Sequence, residues 1–176
     1  MQAPGGPEED ATSGFKYGGW QAPILDQSLM TTMGEWLAHP FELLLGRVTY
    51  DIFAGYWPTA KNADFVAAPF NATKKYVVTN NPDFKATWNN STVVSGDVVS
   101  ELKKLKAMDG PDLWVHGSGN LIQTLLKNDL IDRMHLWVHP VTIGSGKKLF
   151  ADGTQPRTWK MVSSKVGDAG VILASY

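Results

Sequence analysis

Leu113-Trp114-Val115-His116-Gly117-Ser118-Gly119-Asn120-Leu121-Ile122 decides how this chain is read. An apolar run enters a Gly-Ser-Gly corner and leaves it as an apolar pattern with helical spacing. A strand that turns at once into a helix leaves the first amides of that helix outside the hydrogen-bond ladder. Those amides and the helix dipole favour an anion, most often a phosphate. Leu43-Leu44-Leu45-Gly46-Arg47-Val48-Thr49-Tyr50 repeats the arrangement, with an arginine and a threonine in the first helical turn. Two such corners point to a phosphorylated nucleotide cofactor.

Each corner has a plainer explanation. Gly46-Arg47-Val48-Thr49 reads equally well as a tight turn with a surface arginine. Ser118 in Gly117-Ser118-Gly119-Asn120 reads as a helix cap that needs no ligand. The corner departs from the dinucleotide fingerprint G-x-G-x-x-G, because Ile122 stands at the third glycine position. Gly144-Ser145-Gly146-Lys147-Lys148 is not a phosphate-binding P-loop: Val141 replaces its first glycine and Lys148 its Ser or Thr. His135 and His139, four residues apart in a strand, lie roughly 13 Å apart, too far to share one ion. No metal site is expected.

Working outward, 176 residues fit one domain, and a hydrophobic share of 43% is ample for a core. A net charge of −1 offers no basic field for nucleic acid. The absence of cysteine excludes disulfides and thiol chemistry. No stretch reaches the ~18 unbroken apolar residues of a membrane helix. The first ten residues are acidic and rich in Pro and Gly, the reverse of a signal peptide. A cytoplasmic location and no membrane partner are the expectations.

Residues 1–23 read as a loop-like segment. Helices are expected over 24–38, 47–54, 97–108 and 120–128, with one turn around Ala63–Ala68 in an otherwise irregular stretch. Strands are expected over 41–45, 75–79, 92–95, 113–116 and 132–143. A terminal hairpin of 158–166 and 171–176 turns through Gly167-Asp168-Ala169-Gly170. Strand–helix alternation followed by strands alone implies an α/β fold, mostly parallel, finished by antiparallel strands.

Four blocks carry a resemblance to the dihydrofolate-reductase-like family, in the branch of the RibD C-terminal reductase domain. Leu44–Tyr50 resembles its G-R-x-T segment. Lys75-Tyr76-Val77-Val78-Thr79-Asn80 resembles the strand that meets the adenine. Val115–Leu121 resembles the pyrophosphate corner. Leu130-Ile131-Asp132 through Leu149-Phe150 resembles the "LIDE…P…lGxGxxLF" block.

The resemblance implies one domain over 1–176, a three-layer α/β sandwich with a mostly parallel central sheet and a C-terminal antiparallel hairpin. It implies an NADPH-dependent reductase of a small heterocyclic substrate. The relatives in view are the 5-amino-6-(5-phosphoribosylamino)uracil reductase domain of riboflavin biosynthesis and dihydrofolate reductase. Arg47 and Thr49, beside Gly46, would contact cofactor phosphates, and Thr79 and Asn80 would flank the adenosine. Gly117, Ser118, Gly119 and Asn120 would receive the pyrophosphate. A homodimer is also implied. No catalytic residue carries over; Trp20, Asp26 and Trp57 are the candidates for the substrate side, with core packing and helix capping as their plainer roles. Family members usually open on a strand ending in S-L-D-G, which this sequence lacks, so the isolated chain is expected to be impaired unless that gap is filled. The competing expectation is a non-catalytic nucleotide-binding or oligomerisation module on the same fold.

Overall fold

The computed structural model describes residues 1–61 and 64–176. The chain divides into two compact units, Gly34–Asn128 and Met1–Met33 with Asp129–Tyr176.

The first unit is built on a four-stranded parallel sheet in the order β3-β2-β1-β4, formed by β1 (Phe41–Gly46), β2 (Lys75–Val78), β3 (Ser91–Val94) and β4 (Asp112–Trp114). In β1, Phe41, Leu43, Leu44 and Leu45 are all buried. Three consecutive buried leucines, Leu43–Leu45, mark a strand covered on both faces, as parallel sheets require. The helix α2 (Arg47–Tyr56) follows β1, α3 (Asp64–Ala72) precedes β2, α4 (Val98–Lys106) links β3 to β4, and α5 (Gly119–Lys127) follows β4.

Asp97 caps α4 as expected, accepting from the Ser100 amide at 3.1 Å, and Lys103, Lys104 and Lys106 offset the helix dipole at its other end. Two helices outrun expectation. α2 continues through Gly55 to Tyr56, because Phe53 and Tyr56 both pack edge-on against Trp57 and hold the last turn in place. α3 continues through Pro69 to Ala72. The proline removes one helical hydrogen bond, but Val66, Ala67 and Phe70 bury the opposite face. Of the turn expected there, Ala63 lies outside the described residues.

The second unit holds α1 (Gln27–Leu37) up to Met33 and an antiparallel sheet in the order β5-β7-β6: β5 (His135–Val138), β6 (Ser163–Val166) and β7 (Ile172–Ser175). The terminal hairpin is present, though its first strand starts at Ser163 rather than Thr158. β5 is far shorter than the expected 132–143. Pro140 has no amide to donate, and the Val141 amide turns back to the His139 carbonyl at 2.8 Å, so pairing ends there. Residues 1–24 contain two short 3₁₀ turns, Thr12–Gly14 and Ala22–Ile24. The segment is tied down: the buried Gln2 side chain donates to the Asp10 and Thr12 carbonyls and accepts from the Lys147 amide. Gly144–Lys148 forms a loop, with the Lys147 ammonium on Asp10.

Candidate functional site: two glycine corners at one end of the parallel sheet

From β1 the chain steps outward to β2 and β3, then returns to place β4 on the other side of β1. The two helices that follow β1 and β4 therefore start at the carboxyl ends of adjacent strands. That topological switch point is where open α/β sheets bind ligands. Both glycine corners lie at it.

Hydroxyl groups join the corners. The Gly46 amide donates to Ser118 Oγ at 2.9 Å, and the Ser118 amide donates to Thr49 Oγ1 at 3.0 Å. Ser118 Oγ in turn donates to the His116 carbonyl at 3.0 Å. Gly117 and Ser118 both take left-handed backbone angles, φ 55° and 54°. Two consecutive residues in this conformation form the sharp bend that swings the chain from strand into helix. A Cβ on Gly117 would sit 3.4 Å from the Thr49 side chain.

Ser118 is consequently a tie between corners, not the helix cap expected of it: no side chain caps α5. The first helical bond of α5 runs from Ile122 to the Ser118 carbonyl at 3.0 Å, which leaves the Gly119, Asn120 and Leu121 amides ahead of the ladder. No side chain caps α2 at Gly46 either. Arg47 is exposed and ion-paired with Asp51 one turn along α2. Sequence reading passed over Asp51, although the four-residue spacing from an arginine on a helix is the usual sign of such a pair.

On the neighbouring strand, the register Gly46↔Val78 puts Thr79 level with the start of α2. Thr79 is buried, and its Oγ1 accepts from the Asn81 amide at 3.1 Å, so it shapes the turn; Asn80 beside it is exposed. His116 sits behind the second corner among Phe53, Phe70 and Trp114, with ring centroids 5.3–6.4 Å away. Burial pushes its pKa down to about 4, which keeps the imidazole neutral at pH 7.

The sequence matches the RibD C-terminal domain over residues 1–173. This chain belongs to the RibD C-terminal domain family. Among curated proteins it is 31% identical, over 137 residues, to the uncharacterised YyaP of Bacillus subtilis (strain 168), covering 76% of this chain and 72% of that one. Among solved structures it resembles a Shewanella sp. PV-4 protein whose name only provisionally attaches it to riboflavin biosynthesis (TM-score 0.63, 23% identity, 86% and 79% of the two chains). It also resembles the dihydrofolate reductase of Enterococcus faecalis solved with NADP(H), with TM-score 0.55, 17% identity and 85% and 80% coverage. The fold is dihydrofolate-reductase-like, with a parallel central sheet and a separate antiparallel one.

In this RibD C-terminal domain the three substrate-side candidates all do structural work. Asp26 caps α1: its carboxylate accepts from the Leu29 amide at 2.9 Å and from Ser28 Oγ at 2.7 Å, and it takes the Ala169 amide of the hairpin turn at 2.6 Å. The Ser28 hydroxyl, followed by the two amides, holds its pKa below the usual carboxylate value. Trp20 donates its indole N–H to the Gln2 carbonyl at 2.8 Å and stands edge-on to His139. Trp57 packs against Phe53, Tyr56 and Phe70, its indole nitrogen buried without a hydrogen-bond partner. No cluster able to hold a metal ion occurs among the described residues, and none of their helices is long and apolar enough to cross a membrane.

Proposed function

We propose that this domain is an NADPH-dependent reductase of a small heterocyclic molecule, a pyrimidine of the riboflavin-pathway type, acting in the cytoplasm. One observation carries the reading: the two glycine corners lie side by side at the carboxyl ends of β1 and β4 and are locked together by Ser118 and Thr49, while the helix starts beside them carry no capping side chain. The tie takes up the Gly46 and Ser118 amides and leaves those of Gly119, Asn120 and Leu121 ahead of the ladder, which suits a pyrophosphate.

Gly117, Ser118, Gly119 and Asn120 would receive that pyrophosphate. Arg47 and Thr49 would meet the remaining phosphate groups; Thr49, though it accepts from Ser118, keeps its own hydroxyl proton to donate. Thr79 and Asn80 would border the adenosine. Bound NADPH supplies the hydride; the protein orients it and shapes the field around it. The membership in a reductase family and the NADP(H)-bound structural neighbour support the same cofactor class. The engagement of Asp26 in capping favours one second reading, a nucleotide-binding module without chemistry, because it withdraws the carboxyl candidate for protonating substrate.

Arg47→Ala separates a phosphate contact from a surface arginine. Only NADPH carries the extra phosphate, so its affinity is expected to fall about tenfold while NADH affinity changes little, as measured by tryptophan fluorescence titration. Equal losses for both nucleotides refute the role. Consumption of NADPH with candidate pyrimidines then separates enzyme from binder.

A further inference from the structure

Tyr50 stands one residue beyond Thr49 on α2, and its side chain is fully buried. Its hydroxyl accepts the Trp88 amide at 2.7 Å. Its ring meets Phe84 edge-on at 5.8 Å and lies tilted against Trp88 at 6.2 Å. Phe84 and Trp88 belong to the stretch 79–90, which joins β2 to β3 without a helix or strand of its own. The far end of that stretch is anchored on α3. Trp88 donates its indole N–H to Asn71 Oδ1 at 2.7 Å, with the Lys75 ammonium 4.4 Å over the indole. The Asn89 and Asn90 side chains donate to the Asn71 and Ala72 carbonyls at 3.0 and 2.9 Å. The near end folds on itself. The Asn81 amide donates to Thr79 Oγ1, and the Asp83 and Phe84 amides donate to the Asn81 side chain and carbonyl at 3.0 and 3.3 Å. Phe84 then lays this turn against Tyr50.

We propose that Tyr50 is a positioning residue for the adenosine half of the cofactor. Its hydroxyl and ring hold the stretch 79–90, and with it Thr79 and Asn80, at a fixed distance from Arg47 and Thr49. This rests on the NADPH reading given above. The adenosine border and the first corner leave adjacent strands, β2 and β1, and part at once: one enters an irregular turn, the other a helix. A ligand that touches both needs their separation held to about 0.5 Å, and side chains locked by packing and hydrogen bonds supply that precision. Tyr50 meets the requirement. Its ring is rigid, and its bond to Trp88 lies out of water, where a hydrogen bond is stronger. Packing alone would be served by phenylalanine at position 50. The hydroxyl is accounted for by the Trp88 amide, which phenylalanine would leave buried and unpaired. Tyr50 acts through Arg47, Thr49, Thr79 and Asn80 rather than by touching the nucleotide.

Tyr50→Phe keeps the ring and removes the hydroxyl. Calorimetric titration with 2′,5′-ADP, the adenosine half of NADPH, should show affinity reduced about five- to tenfold. NADPH should lose the same factor, because its nicotinamide half is unaffected. Trp88→Phe is the structural control. It keeps the amide that Tyr50 accepts and removes the indole N–H from Asn71, so it should lower the melting temperature yet hold 2′,5′-ADP affinity within about twofold. Amide exchange reads the brace without nucleotide: in Tyr50→Phe the Asn81 amide should exchange faster, while those of α4 keep wild-type rates. Should Tyr50→Phe fail to fold, Phe84→Ala at the half-buried side of the same contact should show the same loss for both ligands. Unchanged 2′,5′-ADP affinity, a larger loss for NADPH than for its adenosine half, an equal loss in Trp88→Phe, or an unchanged Asn81 rate overturns this role and leaves the cofactor reading in place. A wild type that binds neither ligand overturns that reading, and the Tyr50 assignment with it.

Discussion

Removing the Ser118 hydroxyl should loosen both corners at once. Ser118→Ala leaves the Gly46 amide without its 2.9 Å acceptor and the His116 carbonyl without its 3.0 Å donor, at a residue 8% exposed. An unsatisfied, mostly buried donor costs about 1–3 kcal/mol, so ~2 kcal/mol is expected, or roughly 4–8 °C in melting temperature for a chain of this length. Ser118→Gly should recover about 1 kcal/mol of this, because glycine relieves the left-handed angle at φ 54° while losing the same hydroxyl. The backbone of residue 118 still reaches Thr49, so Thr49→Val breaks the second tie separately. The two substitutions act on one joint and should couple by about 0.5 kcal/mol or more in a double-mutant cycle followed by urea denaturation. Thr31→Ala, which removes an exposed hydroxyl bonded only to its own helix, should stay within about 0.5 kcal/mol. Additive losses, or a Ser118→Ala effect no larger than that control, would refute the idea that the corners form one joined structure.

Three further outcomes follow from the site and its supports. His116→Phe should keep the aromatic packing but remove an acid-sensitive group. The folded pKa of His116 lies near 4 against 6.5 for the free imidazole, so the unfolded chain binds the extra proton as pH falls from 6.5 to 4; the wild type should lose up to about 3 kcal/mol more than the variant across that window in denaturation curves. Asp26→Asn should be less stable than wild type at pH 7, with faster amide exchange at Leu29 and Ala169. Because the folded pKa of Asp26 is depressed, the difference should shrink as pH drops below the usual carboxylate range, and a pH-independent gap would argue against an ionised cap. Asp51→Asn should free Arg47 and tighten NADPH about two- to fivefold at low salt, with the gain vanishing at high salt; no change at low salt would mean that Arg47 does not face the phosphate.

Much of this architecture was legible because local signals agreed. The apolar run of β1, the Asp97 cap and the Gly167–Gly170 turn each carry their own physical cause, and the structure places β1, α4 and the terminal hairpin accordingly. The two corners were legible for the same reason, since glycine beside a strand-to-helix switch is a backbone requirement. What escaped depends on long-range partners. Nothing near Ser118 in sequence announces that its hydroxyl serves Gly46, 72 residues away. Lys75 looked like an ordinary strand residue, yet it is fully buried, donates to the Asn71 and Thr73 carbonyls and lies 4.4 Å over the Trp88 ring. The ends of α2, α3 and β5 were misjudged where tertiary packing or a proline's missing amide overrode the local pattern.

The central claim is that both corners meet the phosphates of a pyridine dinucleotide, the second through its free amides and the first through Arg47 and Thr49, and amide chemical shifts under NADPH titration test it residue by residue. The account predicts saturable shifts concentrated at Gly46–Thr49 and Gly117–Leu121, with little change in the hairpin at 163–175. A titration that leaves those two corners unmoved, or that moves only one of them, contradicts it.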